Sequence, residues 1–266
     1  MKNNDTVEEF LKSHQPDEIY HLSAQSSVSV SFHKPIETIS YNVLPLVNLL
    51  ESIRKLDAGT KLYHASSSDM FGNAAQLPIT LDTQMRPSSP YAVSKASAFW
   101  TLNSYRESFN LNVASGVLFN HESILRPKTF FVKKVVSEAV EIHQGKRPHL
   151  EVGNVYVSRD FGYAPEYVEA MWLILQAEKP KDYIISSGKS VLLHDIVKYV
   201  FGSLDISLDL LKVNEELVRP TDIKDIFGDN SSAKEELGWE SRKDIFQIVD
   251  EMIAHELAGG RGKSGF

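Results

Sequence analysis

The sequence contains no cysteine. Disulfides, thiolate nucleophiles and cysteine-ligated metals are therefore excluded. Its nine histidines fall in no HExxH spacing, so no metal site is expected. No apolar run is long enough to span a bilayer, and Met1–Phe10 lacks a signal-peptide core. A cytoplasmic protein with no membrane partner is the expectation. Lysine and arginine never cluster into a run, and the net charge is −7, so nucleic acid is not an expected partner. Glycine is absent before Gly59. With 266 residues, 42% hydrophobic and 24% charged, the chain has an ordinary globular composition and is large enough for one good core or for a domain plus a small lobe.

Apolar spacing predicts alternating helices and strands. Thr6–Ser13 reads as a short amphipathic helix (Val7, Phe10 and Leu11 apolar), closed by Pro16-Asp17. Glu18–Ser23 reads as a buried strand ending in small residues. Pro35–Leu56 is predicted helical, with Ile36, Ile39, Val43, Leu46, Leu49, Leu50 and Ile53 as its apolar stripe. Strands at Lys61–Ser66 and Leu111–Phe119 and helices at Ser94–Phe109 and Thr129–Gln144 continue the alternation. This is the pattern of a doubly wound parallel α/β sheet, whose ligands lie at the carboxyl ends of the strands. Beyond about Pro148 the segments shorten. Leu150–Val152 is short and apolar, Tyr156–Tyr163 is a polar, aromatic stretch, and Tyr183–Ser186 reads as a strand. Pro165–Glu178, Leu192–Phe201, Ser231–Leu237 and Lys243–Leu257 read as helices. The expected organisation is a sheet domain over 1–148, a smaller substrate-binding lobe over 149–258 and a flexible tail over 259–266. Trp100 and Trp172 are expected in the core.

The chemistry concentrates at Ser89-Pro90-Tyr91-Ala92-Val93-Ser94-Lys95. Tyr91 and Lys95, four apart at a helix start, share one face. An ammonium beside a phenol favours the phenolate, which accepts a proton from a hydroxyl. The same spacing is common on solvated helices, so the pair carries weight through its surroundings. Ser66-Ser67-Ser68-Asp69 also reads as a helix or turn cap, His121 as a core histidine, and Arg159 as a structural cation paired with Asp160 or Asp17. Arg219-Pro220 also reads as ordinary loop chemistry, and Lys133-Lys134 as a solvated helix face.

Gln25-Ser26, Ser66–Gly72 (SSSDMFG), Ser89–Lys95, Tyr105–Ser108 (YRES) and Phe119–Ser123 (FNHES) occur in this order. Ser158-Arg159-Asp160, Arg219-Pro220, Phe227-Gly228-Asp229 and Lys234–Trp239 follow. Together they resemble the extended short-chain dehydrogenase/reductases, and among these the GDP-mannose 4,6-dehydratases, from Pro16 to about Leu257. YRES and FNHES are the most specific segments. The resemblance implies a Rossmann-like fold, NADP as cofactor and GDP-mannose as substrate. It places Leu22, Ser23, Ala24, Gln25, Ser26, His121 and Arg126 at the cofactor, along with Tyr91 and Lys95. Ser67 would bond the sugar O4, and Ser68, Asn120, Lys133, Arg159 and Arg219 are implied substrate contacts. Arginine suits a diphosphate because its donor fork is bidentate. In the implied chemistry Tyr91 removes the O4 proton as hydride leaves C4. A carboxylate at position 69 then removes the C5 proton as water leaves C6, and hydride returns to C6. The family implies a homodimer or homotetramer.

Two departures stand out. The dehydratases carry Glu where this chain has Asp69. The shorter side chain sets the carboxylate back by more than about 1 Å, a shift that costs on the order of 10²-fold. Aspartate at this place also occurs in related 4-keto-sugar reductases, which keeps a GDP-4-keto-6-deoxy-sugar reductase/epimerase as an alternative. The family also opens with a strand, a glycine-rich turn and a helix, about two β-α units on the order of 60 residues. Here Met1 directly precedes the segment that follows them. An N-terminally truncated sheet is therefore expected, with Glu18–Leu22 as an unpaired edge. A non-catalytic remnant that binds a nucleotide sugar stays open beside the enzyme reading.

Overall fold

The computed structural model describes residues 4–56 and 59–259. In chain order the elements are α1 (Asn4–His14), β1 (Glu18–His21), α2 (Val28–His33), α3 (Pro35–Leu56), β2 (Lys61–Ser67), α4 (Pro90–Phe109) and β3 (Val113–Leu118). Next come β4 (Asn120–Glu122), α5 (Phe131–His143), β5 (Leu150–Val152), β6 (Ser158–Tyr163), α6 (Ala164–Gln176) and β7 (Tyr183–Ile185). The last are β8 (Ser190–Leu192), α7 (Leu193–Ser203), β9 (Leu211–Val213), α8 (Ser231–Leu237) and α9 (Ile245–Leu257).

The chain divides into two compact units. The first holds the chain to Phe119 with Val168–Ile185 and Gly228–Glu240; the second holds Asn120–Tyr167, Ser186–Phe227 and the chain from Ser241. The expected single cut near residue 148 is thus replaced by an interleaved division. The cause is strand pairing: β7, far along the chain, returns to lie beside β3.

The first unit is built on a parallel sheet in the order β1-β2-β3-β7. β3 is buried along its whole length, as a central parallel strand covered on both faces must be. Its Gly116 exists because Tyr63 of β2 occupies the space a side chain would need: a Cβ there would meet the Tyr63 hydroxyl at 2.3 Å. The core beneath α1, α3 and α4 contains Val7, Leu11, Leu46, Leu50, Leu62 and Leu102. The predicted α3 stripe is buried only in its second half. Ile36 is 79% exposed and Ile39 44%, whereas Leu46, Leu49, Leu50 and Ile53 are buried. Trp100 and Trp172 are also exposed. They point away from the packed faces of their helices, and Trp239 supplies the buried indole instead. β1 is the edge strand, with Leu22 just beyond it 51% exposed.

The second unit contains a sheet in the order β4-β6-β8 and a parallel β5-β9 pair. Its core joins α5, α7 and α9 through residues such as Val136, Val197 and Ile248. α9 starts with a reciprocal cap: Asp244 accepts from the Phe246 and Gln247 amides while Gln247 Oε1 accepts from the Asp244 amide. Most of the expected tail, 260–266, lies outside the described residues.

Candidate active site

Within the first unit the candidate catalytic residues converge at the carboxyl ends of β1 and β2, as parallel sheets dictate. α4 begins where Ser89, in extended backbone, turns its hydroxyl to the Ala92 amide at 3.1 Å. Pro90 follows at the first helical position, where no amide hydrogen is needed. This start places Tyr91 in the first turn and Lys95 one turn on. Both are buried. The Lys95 Nζ donates to the Ala65 carbonyl at 2.8 Å and lies 6.0 Å from the centre of the Tyr91 ring. Burial pulls the Lys95 ammonium down from 10.5 to about 8, because a low-dielectric site disfavours charge.

β2 runs directly into a short 3-10 turn, Ser68–Phe71. Ser67 is buried, caps this turn, and accepts from the Asp69 amide at 3.3 Å. The capping reading therefore holds for Ser67. Ser68 is buried and Asp69 is half-buried. Gly72 closes the turn at φ +58°, with the Arg86 carbonyl 2.1 Å from where a Cβ would stand. Only glycine fits there.

Leu22, Ser23, Ala24, Gln25 and Ser26 form the loop after β1. Asn42 of α3 clamps this loop. Its Oδ1 accepts from the Gln25 amide at 2.7 Å, and its Nδ2 donates to the Gln25 carbonyl at 3.1 Å and to Ser94 Oγ at 2.9 Å. A cleft of about 650 Å³ opens beside the loop, lined by Ser23, Ala24 and Gln25 with Lys34, Glu37 and Tyr41. Asn42 escaped the sequence reading. Its one signal is an amide placed inside the apolar stripe of a helix.

The remaining candidates are positioned by the second unit. β4 pairs with β6 in the register Asn120↔Phe161, His121↔Gly162 and Glu122↔Tyr163. Asn120 Nδ2 donates to the Asp160 carbonyl at 3.2 Å. His121 packs on the buried Tyr167 ring at 4.9 Å, and Gly162 leaves room for that ring. Glu122 is 2% exposed. Burial raises its carboxyl to about 7, against the opposing pull of Arg126 and Lys133. Arg126 Nε stands 3.4 Å from it, and the guanidinium stacks 3.6 Å over Phe130.

Several of these cations are already engaged. Lys133 is buried, not solvated, and its Nζ meets the Ile124 carbonyl at 2.9 Å and Glu256 at 2.7 Å. Arg159 donates to the Ser158 and Ile223 carbonyls and pairs with Asp222 at 2.8 Å. Asp160 accepts from the Ser187 and Gly188 amides at 2.8 and 3.1 Å. Arg219 is exposed in a loop. Arg106 of the YRES segment is structural: it donates to the Val113 carbonyl at 3.0 Å and pairs with Asp182, which also receives the Ser115 amide.

Tyr91, Lys95 and the small residues Ser23, Ala24 and Ser67 suit the nicotinamide-ribose end of a dinucleotide: a buried ammonium, a phenol, two serine hydroxyls and little bulk. The first glycine of the sequence is Gly59, so these residues include no glycine-rich turn of the pyrophosphate-binding kind. No group of three or more metal-ligating carboxylates and imidazoles occurs among the described residues. No helix among them is long and apolar enough to cross a membrane.

A family model described as GDP-mannose 4,6 dehydratase matches residues 1–252. GDP-mannose 4,6 dehydratase 1 of Arabidopsis thaliana is 39% identical over 248 residues, covering 91% of this chain and 68% of the relative. GDP-mannose 4,6-dehydratase of Vibrio cholerae is 34% identical, with 97% and 77% covered. Among solved structures, RMD from Pseudomonas aeruginosa complexed with NADPH superposes with a TM-score of 0.87 at 23% identity, covering 97% of this chain and 86% of that one. dTDP-glucose 4,6-dehydratase from Bacillus anthracis in complex with NAD gives 0.84 at 21% identity, with 96% and 77% covered. These two likenesses establish the Rossmann-like fold.

Proposed function

The chain belongs to the GDP-mannose 4,6-dehydratase family, and from that premise we propose that it is a lyase converting GDP-mannose to GDP-4-keto-6-deoxymannose. The observation that carries this reading is the buried Tyr91–Lys95 pair at the start of α4, one strand end from Ser67 and Asp69. Tyr91 takes the proton from the sugar O4, and Lys95 stabilises the phenolate. Ser67 bonds O4, and Asp69 removes the C5 proton when the neighbouring carbon is a ketone. Bound NADP would supply the hydride acceptor for C4 and the hydride donor for C6. Leu22–Ser26, Tyr91, Lys95, His121 and Arg126 are assigned to hold it. Ser68, Asn120, Lys133, Arg159 and Arg219 are assigned to the nucleotide sugar. Of these, Lys133 and Arg159 carry existing ion pairs that substrate would have to share or displace. The exposed Ile36, Leu44 and Trp100 of α3 and α4 support a homo-oligomer. A cytoplasmic location accords with the substrate class.

Asp69 favours one second reading, reduction of a GDP-4-keto-6-deoxy sugar. That reaction uses Tyr91 and Lys95 but needs no base at C5. The test is incubation with GDP-mannose and NADP+, following the 4-keto product by chromatography. Tyr91→Phe is expected to remove turnover, on the order of 10²-fold or more, with the fold intact. Equal turnover in Tyr91→Phe and wild type refutes the mechanism.

A further inference from the structure

Two histidines that the proposed function leaves unused join the edge strand of the first unit to its neighbour. His21 on β1 and His64 on β2 are register partners in the parallel ladder. They are 3% and 1% exposed. Their rings stack at 5.2 Å, and the two Nδ1 atoms are 3.0 Å apart. A contact of that length between ring nitrogens is a hydrogen bond, so one Nδ1 carries a proton and the other a lone pair. It exists only while at least one ring is neutral.

The surroundings offer a charge no support. The elements packed around the pair are α3, α4 and β3. Of their buried residues only Tyr91 and Lys95 are ionisable, so no buried carboxylate of these elements stands against an imidazolium. The Lys95 ammonium sits on the carbonyl of Ala65, next to His64 in β2, and has the same sign as a protonated ring. His21 Nε2 is 3.1 Å from the Ser23 hydroxyl, whereas the buried His64 Nε2 has no hydrogen-bond partner among the described residues. A proton added there would find no acceptor. Burial first, and the Lys95 charge second, hold His21 at about 4 and His64 well below its ordinary value. Both rings are neutral at neutral pH.

The strand they fasten is weakly held. β1 has 4 residues, and β2 is its one strand partner among the described residues. Beyond β1, Asn42 ties Gln25 to α3 and marks where the firmly held chain resumes. We propose that the His21–His64 pair is an acid-released latch, closed while neutral, and that uptake of two protons frees the edge segment Glu18–Ala24 from the sheet. One added proton leaves an imidazolium that still donates to its neutral partner. The second sets N–H against N–H and ends the contact. In the open form both rings reach water and titrate at their ordinary value, so the open form takes two protons that the closed form refuses. Opening therefore grows as pH falls below about 6.5. Glu18 and Tyr20 lie on the opposite face of β1, bonded to each other. That bond holds the Glu18 carboxyl below its ordinary value, so it stays ionised from pH 5 upward and takes no part. Leu22, Ser23 and Ala24 leave the site with the strand. That acid thereby withdraws cofactor contacts is the one consequence that rests on the proposed function.

Native-state hydrogen exchange on the full chain, with no ligand added, reads the opening of β1 directly. From pH 7.5 to pH 5 the opening constant of the β1–β2 ladder, corrected for intrinsic exchange, is expected to rise on the order of 10³-fold, against about 30-fold for a single histidine. Below pH 6 its logarithm should climb by about two per pH unit, one for each ring. The amides of β3 should stay protected over the same range. A slope of one or less in wild type overturns the latch, and so does opening of β3 together with β1. His64→Gln keeps a neutral hydrogen-bonding side chain beside His21. It is expected to melt with wild type at pH 7.5 and to halve the slope. An unchanged slope in this variant places the protons elsewhere and overturns the latch. The wild-type slope decides the matter even where the variant does not fold. No ligand enters the measurement, so absence of GDP-mannose turnover refutes the proposed function and leaves the latch standing.

Discussion

Replacing Lys95 with methionine should make this protein more stable while removing its activity. Lys95 is 5% exposed, and among the described residues its ammonium makes one hydrogen bond, to the Ala65 carbonyl. Burial lowers its pKa from 10.5 to about 8. At about 1.4 kcal/mol per pH unit, the folded state is disfavoured by roughly 3 kcal/mol when the lysine is charged. The unfolded chain binds this proton more tightly, so stability rises with pH across that interval. The cost is full below pH 8 and vanishes near 10.5. Methionine fills similar space without charge but leaves the Ala65 carbonyl without its donor, a loss of about 1 kcal/mol. The net gain near pH 7 is about 2 kcal/mol, or roughly 5 °C in melting temperature for a chain of this size. Calorimetry of both proteins from pH 6 to 10.5 checks it. The advantage of Lys95→Met should be constant to about pH 8 and then shrink. A variant less stable than wild type at pH 7, or an advantage independent of pH, refutes burial as the dominant cost. Turnover of GDP-mannose should fall on the order of 10²-fold or more in the stabilised variant, the trade expected where a site is held against the preference of the fold.

The buried carboxyl of Glu122 gives the opposite pH dependence. Its folded pKa of about 7 exceeds the ordinary 4.5, so stability falls as pH rises through that window. Glu122→Gln should melt with wild type near pH 4.5 and above it at pH 8; a lower melting point at pH 8 would mean the Arg126 contact outweighs burial. Gly116→Ala drives a methyl into the buried Tyr63 hydroxyl and should cost about 1–3 kcal/mol by urea unfolding, an unchanged midpoint counting against the packing argument. Asp69→Glu extends the carboxylate by one methylene and should raise water elimination from GDP-mannose on the order of tenfold or more. No gain in elimination, with reduction of a 4-keto sugar retained, assigns the chain to the reductase reading.

Much of this protein was legible from local pattern alone. Pro35–Leu56 begins and ends where its apolar period and Pro35 say it should, because helix limits depend on nearby residues. Ser89-Pro90 places Tyr91 in a first turn by capping chemistry that needs no partner from elsewhere. Order of motifs sufficed to indicate the family. The outer half of the α3 stripe, Trp100 and Trp172 were misread as buried, since period shows which face is apolar but not what covers it. The domain cut was misplaced because β7 joins the sheet across a long sequence gap. The fate of each cation also lay beyond sequence: Lys133 meets Glu256 and Arg159 meets Asp222 through contacts separated by more than 60 positions. By itself, then, the sequence determined the elements, the caps and the residue types available for chemistry, because those follow from interactions within a few residues. Only the tertiary structure decided which charges are buried or paired, and which histidines touch, because burial and pairing are properties of segments brought together from distant parts of the chain.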